Sequence, residues 1–311
     1  MALTAQLCHT ASSTRDGFPA LDPRKRTRVG LAVVTAQWVQ LGAGKTLVST
    51  EEGAWIQPLA PATLALRGSM PGSLPGTWGA TRHLLDGAIA AGERSVPASE
   101  PRALTERSWA TVLVDQWYTA HHGVALLPAA IRRYEATQRP ELARFARHKL
   151  EEELGHDRLP LNDLRALGYE AEAAVEEVPP GQNAHSLIEY AGECVDGPRP
   201  VSLFGYIYAF ERRVIRITDQ DLRVLERALP AGLEAASGLR AHALEFDRGH
   251  VKELVHFIAR LPGDDRTEIA LACYRTAAIC ASPSDAEMDM ERQQRISRFS
   301  KSRPLLPTTS E

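Results

Sequence analysis

Two short segments of the chain place a carboxylate three residues before an imidazole, a spacing that can present two metal ligands together. In HKLEEELGHDRL the pair is Glu153 and His156, and in RAHALEFDRGHVKEL it is Asp247 and His250. Side chains at i and i+3 of a helix leave the same face, and Glu-x-x-His pairs hold the metal ions of di-iron four-helix bundles. Glu152 lies one turn from His156, so spacing leaves open which glutamate is the ligand. Two such pairs on separate helices predict two half-sites that face each other.

A third carboxylate follows an almost uncharged aromatic run. Glu211 comes at the end of LFGYIYAFE, and burying a carboxylate there is costly unless it is paired or binds a cation. The alternative is an ion pair with Arg212, Arg213 or Arg216, or a helix position that faces water. A single carboxylate–imidazole pair is also typical of a solvated acidic face. The three segments together favour metal binding over these interpretations.

The types of ligand narrow the choice of metal. Carboxylates with imidazoles and no thiolate suit iron or manganese better than structural zinc, which prefers cysteine and histidine. A small ligand set also leaves open positions at which iron can bind O₂. The four cysteines have no CxxC pair, which excludes a zinc-ribbon framework and favours reduced, packed thiols. They are Cys8, Cys194, Cys273 and Cys280.

The bulk composition excludes several other classes of function. With 311 residues, 44% hydrophobic and 24% charged, the chain resembles an ordinary soluble globular protein with one large core and an appendage. A formal net charge of −3 and 6% aromatic residues argue against a nucleic-acid partner. No apolar run approaches the roughly 20 residues that span a bilayer, and the N-terminus lacks the pattern of a secretory signal. We therefore expect a cytoplasmic protein with no membrane partner.

The elements that must position these residues are mostly helices. Residues 1–28 lack periodicity and are predicted to be disordered. Residues 29–77 predict a small β-containing unit of three short strands and a Gly/Pro linker; its QLGAGKT departs from phosphate-loop spacing and is interpreted as a hairpin turn. Residues 78–282 predict a helical domain, and residues 283–311 a disordered tail. The helices that carry the candidate ligands are predicted over about 141–167, 201–217 and 233–260.

In this order, the segments resemble a known family. The stretch from about Leu104 to Ala281 is similar to the iron-containing haem-oxygenase-like oxidases and oxygenases, through EEELGHDRLPLNDLRALG, GYIYAFE and HALEFDRGHVKEL. The resemblance covers a little over half of the chain, and its motifs are specific only in combination. It implies a mainly α, haem-oxygenase-like (TenA-like) seven-helix bundle around a histidine- and carboxylate-ligated iron site, often a labile di-iron centre. Members of the family use O₂ on amines, amino acids or fatty acids.

Carried over residue by residue, the resemblance implies a set of ligands for Fe(II), with two ions per chain. This set is Glu153, His156, Glu211, Asp247 and His250.

Two positions depart from the family's pattern. Its last ligand helix has His-x3-Asp-x2-His, whereas His242 here lies five residues before Asp247, roughly 140° round a regular helix. His242 could ligate only if a π-bulge absorbs the extra residue. The first long helix, where many members carry a ligand glutamate, reads WYTAHHGVALLP and offers His121 or His122, of which His122 is slightly preferred. Otherwise the second metal position is weak or empty.

Three functional hypotheses follow from the sequence. The first is an O₂- and iron-dependent oxidoreductase that acts on a small metabolite, with an electron donor as an optional partner. The second is an enzyme of the same fold without iron, like cofactorless oxidases or thiaminase-type hydrolases, in which acids and imidazoles bind substrate or move protons. The third is a non-catalytic binding module. The twin carboxylate-x-x-His pairs favour the first, whereas the missing glutamate and the displaced His242 favour the second. Whether the chain forms a homodimer is left open.

Overall fold

The computed structural model describes residues 36–42, 44–58, 75–98, 103–229, 235–241 and 247–301, without the side chains of residues 241, 247 and 248. These residues form three β-strands and twelve α-helices. The strands are β1 (Gln37–Gln40), β2 (Lys45–Thr50) and β3 (Gly53–Pro58). The helices are α1 (Trp78–Glu93), α2 (Glu106–Ala136), α3 (Pro140–Glu153), α4 (Arg158–Ala166), α5 (Ala171–Glu177), α6 (Gln182–Asp196), α7 (Leu203–Val214), α8 (Asp219–Ala228), α9 (Ser237–Ala241), α10 (Asp247–Ala259), α11 (Gly263–Ala281) and α12 (Ala286–Ile296).

The three strands form an antiparallel meander in the order β1-β2-β3. The backbone N–H of Leu41 donates to the carbonyl oxygen of Lys45 at 2.9 Å, so QLGAGKT is the hairpin turn that its sequence predicts. The sheet shares a core with the helices, because Val39 and Leu47 are buried in one cluster with Leu84 of α1. Residues 1–28, which are predicted to be disordered, lie outside the described residues, as do residues 29–35 and 59–74 of the unit predicted over 29–77.

The body of the protein is a bundle built from the seven described helices that have twelve or more residues. They are α1, α2, α3, α6, α7, α10 and α11. Helix α11 packs against α1, α6 and α7, and α2 packs against α3, α4 and α6. The predicted mainly α bundle preceded by a small β-containing unit is therefore confirmed.

Helix α2 is the longest element and is continuous over 31 residues. It begins with a capping box in which Thr105 and Ser108 exchange hydrogen bonds between side chain and backbone, which satisfies N–H groups that a helix start leaves unpaired. In the sequence, Gly123 and Pro128 predict an interruption of the long helix that begins near Leu104, and this prediction is wrong. The buried Leu127 shows that tertiary packing holds this part of the helix together despite the hydrogen bond that Pro128 removes.

Backbone contact between α7 and α11 fixes the helix that carries Glu211. A Cβ atom at Gly205 would overlap the carbonyl oxygen of Ile269, so these helices approach more closely than any side chain at residue 205 would allow. The Sγ of Cys273 lies 3.3 Å from the carbonyl oxygen of Gly205. The start of α7 is therefore set against α11, and Glu211 follows two turns later on the same rigid helix.

Helix α12 corrects the prediction that residues 283–311 are disordered. The Asp285 side chain caps it by accepting from the backbone N–H groups of Glu287 and Met288. Arg292 is only 3% exposed, and its guanidinium donates to Asp115 of α2. The prediction is wrong for residues 286–301, because the basic composition suggested solvation whereas this arginine is one half of a buried ion pair. Residues 302–311 lie outside the described residues.

Two further observations bear on the class of protein. No helix in the described part of the chain is long and apolar enough to cross a membrane. Cys194, Cys273 and Cys280 are buried and form no disulfide, as their helical, apolar contexts predict.

Candidate metal centre

The first candidate pair lies where a helix ends. Helix α3 stops at Glu153 and α4 starts at Arg158, so His156 stands in the turn between them and the predicted single helix over 141–167 is wrong. Gly155 has a φ of 92°, a left-handed conformation typical of the residue just after a helix. The pair nevertheless meets, because Nδ1 of His156 lies 2.8 Å from Oε2 of Glu153.

Helix α2 holds this turn in place. Nδ1 of His121 lies 2.9 Å from Oδ2 of Asp157, the residue that follows His156. The side chain of His121 is half exposed, and its ring stacks on Trp117 with centroids 5.0 Å apart. His121 therefore contacts the turn that carries a candidate ligand.

Glu153, His156 and Glu211 line a single cavity of about 210 Å³. Most of the remaining wall is apolar and comes from α2, α4, α7 and α9, with residues such as Val124, Leu159 and Phe210. Pockets for drug-sized ligands occupy about 300–1,000 Å³. The cavity therefore suits a smaller molecule with an apolar part.

Glu211 is buried, as its aromatic surroundings predict, and it pairs with Lys149 of α3. Glu211 is 7% exposed and Lys149 is fully buried. The Nζ of Lys149 lies 2.9 Å from Oε1 of Glu211 and 2.7 Å from Oε2 of Glu152. Burial lowers the pKa of Lys149, but the carboxylates of Glu211 and Glu152 raise it by more than burial lowers it. The pKa of Lys149 is therefore above its ordinary value. Two carboxylates from different helices thus share one buried cation.

Two of the three arginines that the sequence offers as partners for Glu211 bind other carboxylates. Arg212 makes a two-pronged contact with Asp86 of α1, and Arg216 pairs with Glu93. Sequence reasoning missed Lys149, although it precedes Glu152 by three positions and therefore shares its helix face. Its link to Glu211 spans 62 positions, and no local pattern reports such a contact.

Helix α10 brings His250 to α3. Nε2 of His250 lies 3.3 Å from Oε1 of Glu152, so the two helices that carry the candidate pairs do face each other. Among the described contacts the acid that meets His250 is Glu152. Asp247 is the first residue of α10, but its side chain and all of His242 lie outside the described residues. The predicted helix over 233–260 is described as two pieces, α9 and α10.

The structure does not place His122 with these acids. Its ring packs 4.4 Å from the ring of Tyr118, and burial and the neighbouring His121 lower its pKa. The residues of α2 that line the cavity include Gln116, Thr119 and Gly123. Within the described lining, α2 therefore offers no carboxylate where the family resemblance implies a ligand glutamate.

A second group of donors lies on the outer side of Glu152. Nε2 of His148 is 3.3 Å from Oε1 of Glu152 and 3.3 Å from Oε2 of Glu253. One ligand atom from each of these three residues lies within 4.8 Å of the others. Sequence reasoning did not single out His148 or Glu253, although each stands three or four positions from another donor on its helix.

Comparisons with known proteins identify the fold. No protein-family model matches the chain, and no curated protein matches it. A domain of unknown function with a haem-oxygenase-like fold from Shewanella denitrificans is similar in structure, with a TM-score of 0.52, 17% identity, and 70% of this chain and 91% of that chain covered. A TenA homolog from Pseudomonas syringae has a TM-score of 0.51 and 12% identity, and the match covers 73% of this chain and 96% of the homolog. The chain thus has a haem-oxygenase-like fold.

Proposed function

We propose that this chain is an O₂-dependent non-haem iron oxidoreductase whose substrate is a small metabolite bound in the cavity. The observation that carries the proposal is that Glu153, His156 and Glu211 line one cavity, where Glu211 shares the buried ammonium of Lys149 with Glu152. The proposed ligands of Fe(II) are Glu153, His156, Glu211, Asp247 and His250, with His242 and His122 as further candidates and two ions as the proposed content.

The donor set suits iron chemically. It consists of carboxylate oxygens and imidazole nitrogens, the donors of non-haem iron sites that keep positions open for O₂, and no described cysteine lines the cavity. Glu211 is already paired with the buried ammonium of Lys149. A metal ion at Glu211 would share its carboxylate with Lys149 or displace that side chain.

The residues of the chain have separate tasks in this proposal. When bound, iron supplies the binding and reduction of O₂. The contact between Nδ1 of His156 and Glu153 orients the imidazole, as carboxylates commonly do for metal-bound histidines, so this ring would present Nε2 to the ion. Lys149 holds Glu211 and Glu152 in fixed positions and offsets their charge. The apolar wall excludes water and receives the hydrocarbon part of an amine, amino acid or fatty acid.

One observation favours a second candidate, an enzyme of the same fold that works without iron. Lys149 already neutralises charge at Glu211 and Glu152, so the folded chain does not need a metal ion to bury these acids. The contact between His156 and Glu153 on the cavity wall would then serve as a general acid–base pair.

Anaerobic loading of the whole chain with Fe(II) separates the two candidates. The iron proposal predicts retained iron after desalting and an absorption band that develops on exposure to O₂. Both signals should be lost in Glu211→Gln and His156→Ala. His185→Ala is the matched control, since it removes a half-exposed imidazole paired with Glu189 on α6. Equal iron in the wild type and in the double variant Glu211→Gln/His156→Ala would contradict the iron proposal and favour the metal-free enzyme.

A further inference from the structure

Glu152 presents its two carboxylate oxygens to different surroundings. Oε2 faces the fully buried ammonium of Lys149. Oε1 lies 3.3 Å from Nε2 of both His148 and His250. The side chains of His148 and Glu253 are 45% and 48% exposed, so the Oε1 side opens toward solvent. The carboxylate of Glu152 thus separates the buried cation from a solvent-facing group of donors.

The spacing of these outer donors matches that of ligands around one ion. Two ligand atoms each about 2.0–2.2 Å from a tetrahedral ion lie roughly 3.3–3.6 Å apart. The three nitrogen–oxygen separations within the group are all 3.3 Å, whereas charge-assisted hydrogen bonds between nitrogen and oxygen are about 2.7–2.9 Å long. One ion can therefore reach His148, Glu152 and Glu253 together, with His250 adjoining the shared oxygen.

Helix α3 contributes a chelating pair to this group, and α10 contributes Glu253. His148 and Glu152 stand four residues apart on α3, a spacing at which helical side chains meet. One imidazole and two carboxylates without a thiolate, open to water on one side, form a donor set typical of zinc sites that have three protein ligands and an exchangeable water.

We propose that His148, Glu152 and Glu253 form a divalent transition-metal site, with the coordination chemistry of Zn²⁺, that clamps α3 to α10, and that His250 contacts the shared carboxylate of Glu152 beside it. The site does not depend on iron in the cavity and shares no ligand with the proposed iron set. Neither His148 nor Glu253 lines the cavity. A metal ion there would fix the start of α10, which carries Asp247 and His250.

The test removes the cavity ligands first, so that Zn²⁺ at the cavity does not obscure the outer site. The full-length Glu211→Gln/His156→Ala variant, stripped with chelator, is titrated with Zn²⁺ by calorimetry and with Co²⁺ by visible absorption. We expect one ion per chain and a rise in the melting temperature with Zn²⁺, because an ion that binds only the folded state stabilises it.

Adding His148→Ala or Glu253→Ala to this background should weaken Zn²⁺ binding by about a hundredfold or more, since loss of a residue that merely orients a ligand already weakens it by about 10–100-fold. Both positions are half exposed, and the metal-free melting temperature checks that each variant folds. His185→Ala is the matched control, because His185 and Glu189 have the same four-residue spacing on a helix without the donors of α10.

Two results would overturn the proposal. One is the absence of Zn²⁺ binding in the background variant, which would leave ordinary ion pairs between α3 and α10. The other is unchanged Zn²⁺ affinity after both outer substitutions. Iron content measured in His148→Ala alone keeps the two proposals apart, since the cavity ligands are intact in that variant and its iron content should equal that of the wild type.

Discussion

Replacing Lys149 by methionine tests the ionic core that joins α3 to α7. Methionine keeps most of the length of the side chain and removes its charge, so two carboxylates would face each other without the ammonium between them. The side chains of Glu211 and Glu152 are 8% and 15% exposed, and removing one partner of a buried ion pair costs about 3–5 kcal/mol. Glu152 also contacts His148 and His250. We therefore expect a loss near the lower limit, about 3 kcal/mol.

Urea unfolding of chelator-treated protein, followed by circular dichroism, measures this loss. For a domain of this size about 3 kcal/mol corresponds to a melting temperature roughly 6–12 °C lower. The double variant Lys149→Met/Glu211→Gln is the control, and it should recover much of the loss because it buries no isolated charge. A loss below about 1 kcal/mol in the single variant, which is within the range of ordinary substitutions, would refute the assignment of a desolvated ion pair.

The pH dependence of the wild type gives an independent check on Lys149. The pKa of Lys149 in the folded state is raised above its ordinary value of 10.5. Its contribution to stability is therefore complete below that pH and is lost as the pH rises through the folded-state pKa. As the pH rises through this alkaline range, the free energy of unfolding of Lys149→Met should fall less steeply than that of the wild type.

Three other substitutions have definite expected outcomes. Burial raises the pKa of Asp86, but its hydrogen bonds with Arg212 lower it by more, so the pKa is below its ordinary value of 3.8. Asp86→Asn should therefore cost about 3–5 kcal/mol of the free energy of unfolding at neutral pH. Urea unfolding across pH should also show that the variant loses less stability than the wild type as the pH falls below 3.8. Gly205→Ala should cost about 1–3 kcal/mol by overpacking against α11, whereas Gly192→Ala, where a Cβ meets nothing within 4 Å, should not destabilise the protein in the same thermal melts. Thr119→Glu places a carboxylate on the cavity-facing side of α2 and should raise the iron retained after anaerobic loading; unchanged iron, or an equal rise in Thr119→Gln, would contradict this.

Local signals in the sequence predicted the elements whose ends are marked by capping residues. The sequence pattern also predicts a helix over 219–228, and it matches α8, because Thr218 and Asp221 form a capping box that fixes its start. The prediction failed at Gly155, where a glycine inside an apparently periodic segment ends α3 through its left-handed backbone. It failed again at α12, since the pairing of Arg292 with Asp115 joins positions 177 residues apart.

The candidate site shows the same division between local and long-range information. The aromatic run before Glu211 predicted its burial correctly, because desolvation of a carboxylate is a local property of its helix. Its partner Lys149 and the contact between Glu152 and His250 depend on how three helices pack, which spacing alone does not report. Spacing also does not show which face of α2 turns inward, and His122 proved to pack against Tyr118.

The buried guanidinium of Arg292 ties the last described helix to the middle of the bundle. Asp115, which receives it, also accepts from the backbone N–H of Gly181 at the start of α6, and its carbonyl oxygen accepts from the hydroxyl of Thr119 on the cavity wall. Trimming the polypeptide before Ala286 would therefore remove the counter-charge of Asp115, which lies one helical turn from a residue of the cavity wall. An expression boundary that keeps residues 286–296 preserves this support of α2.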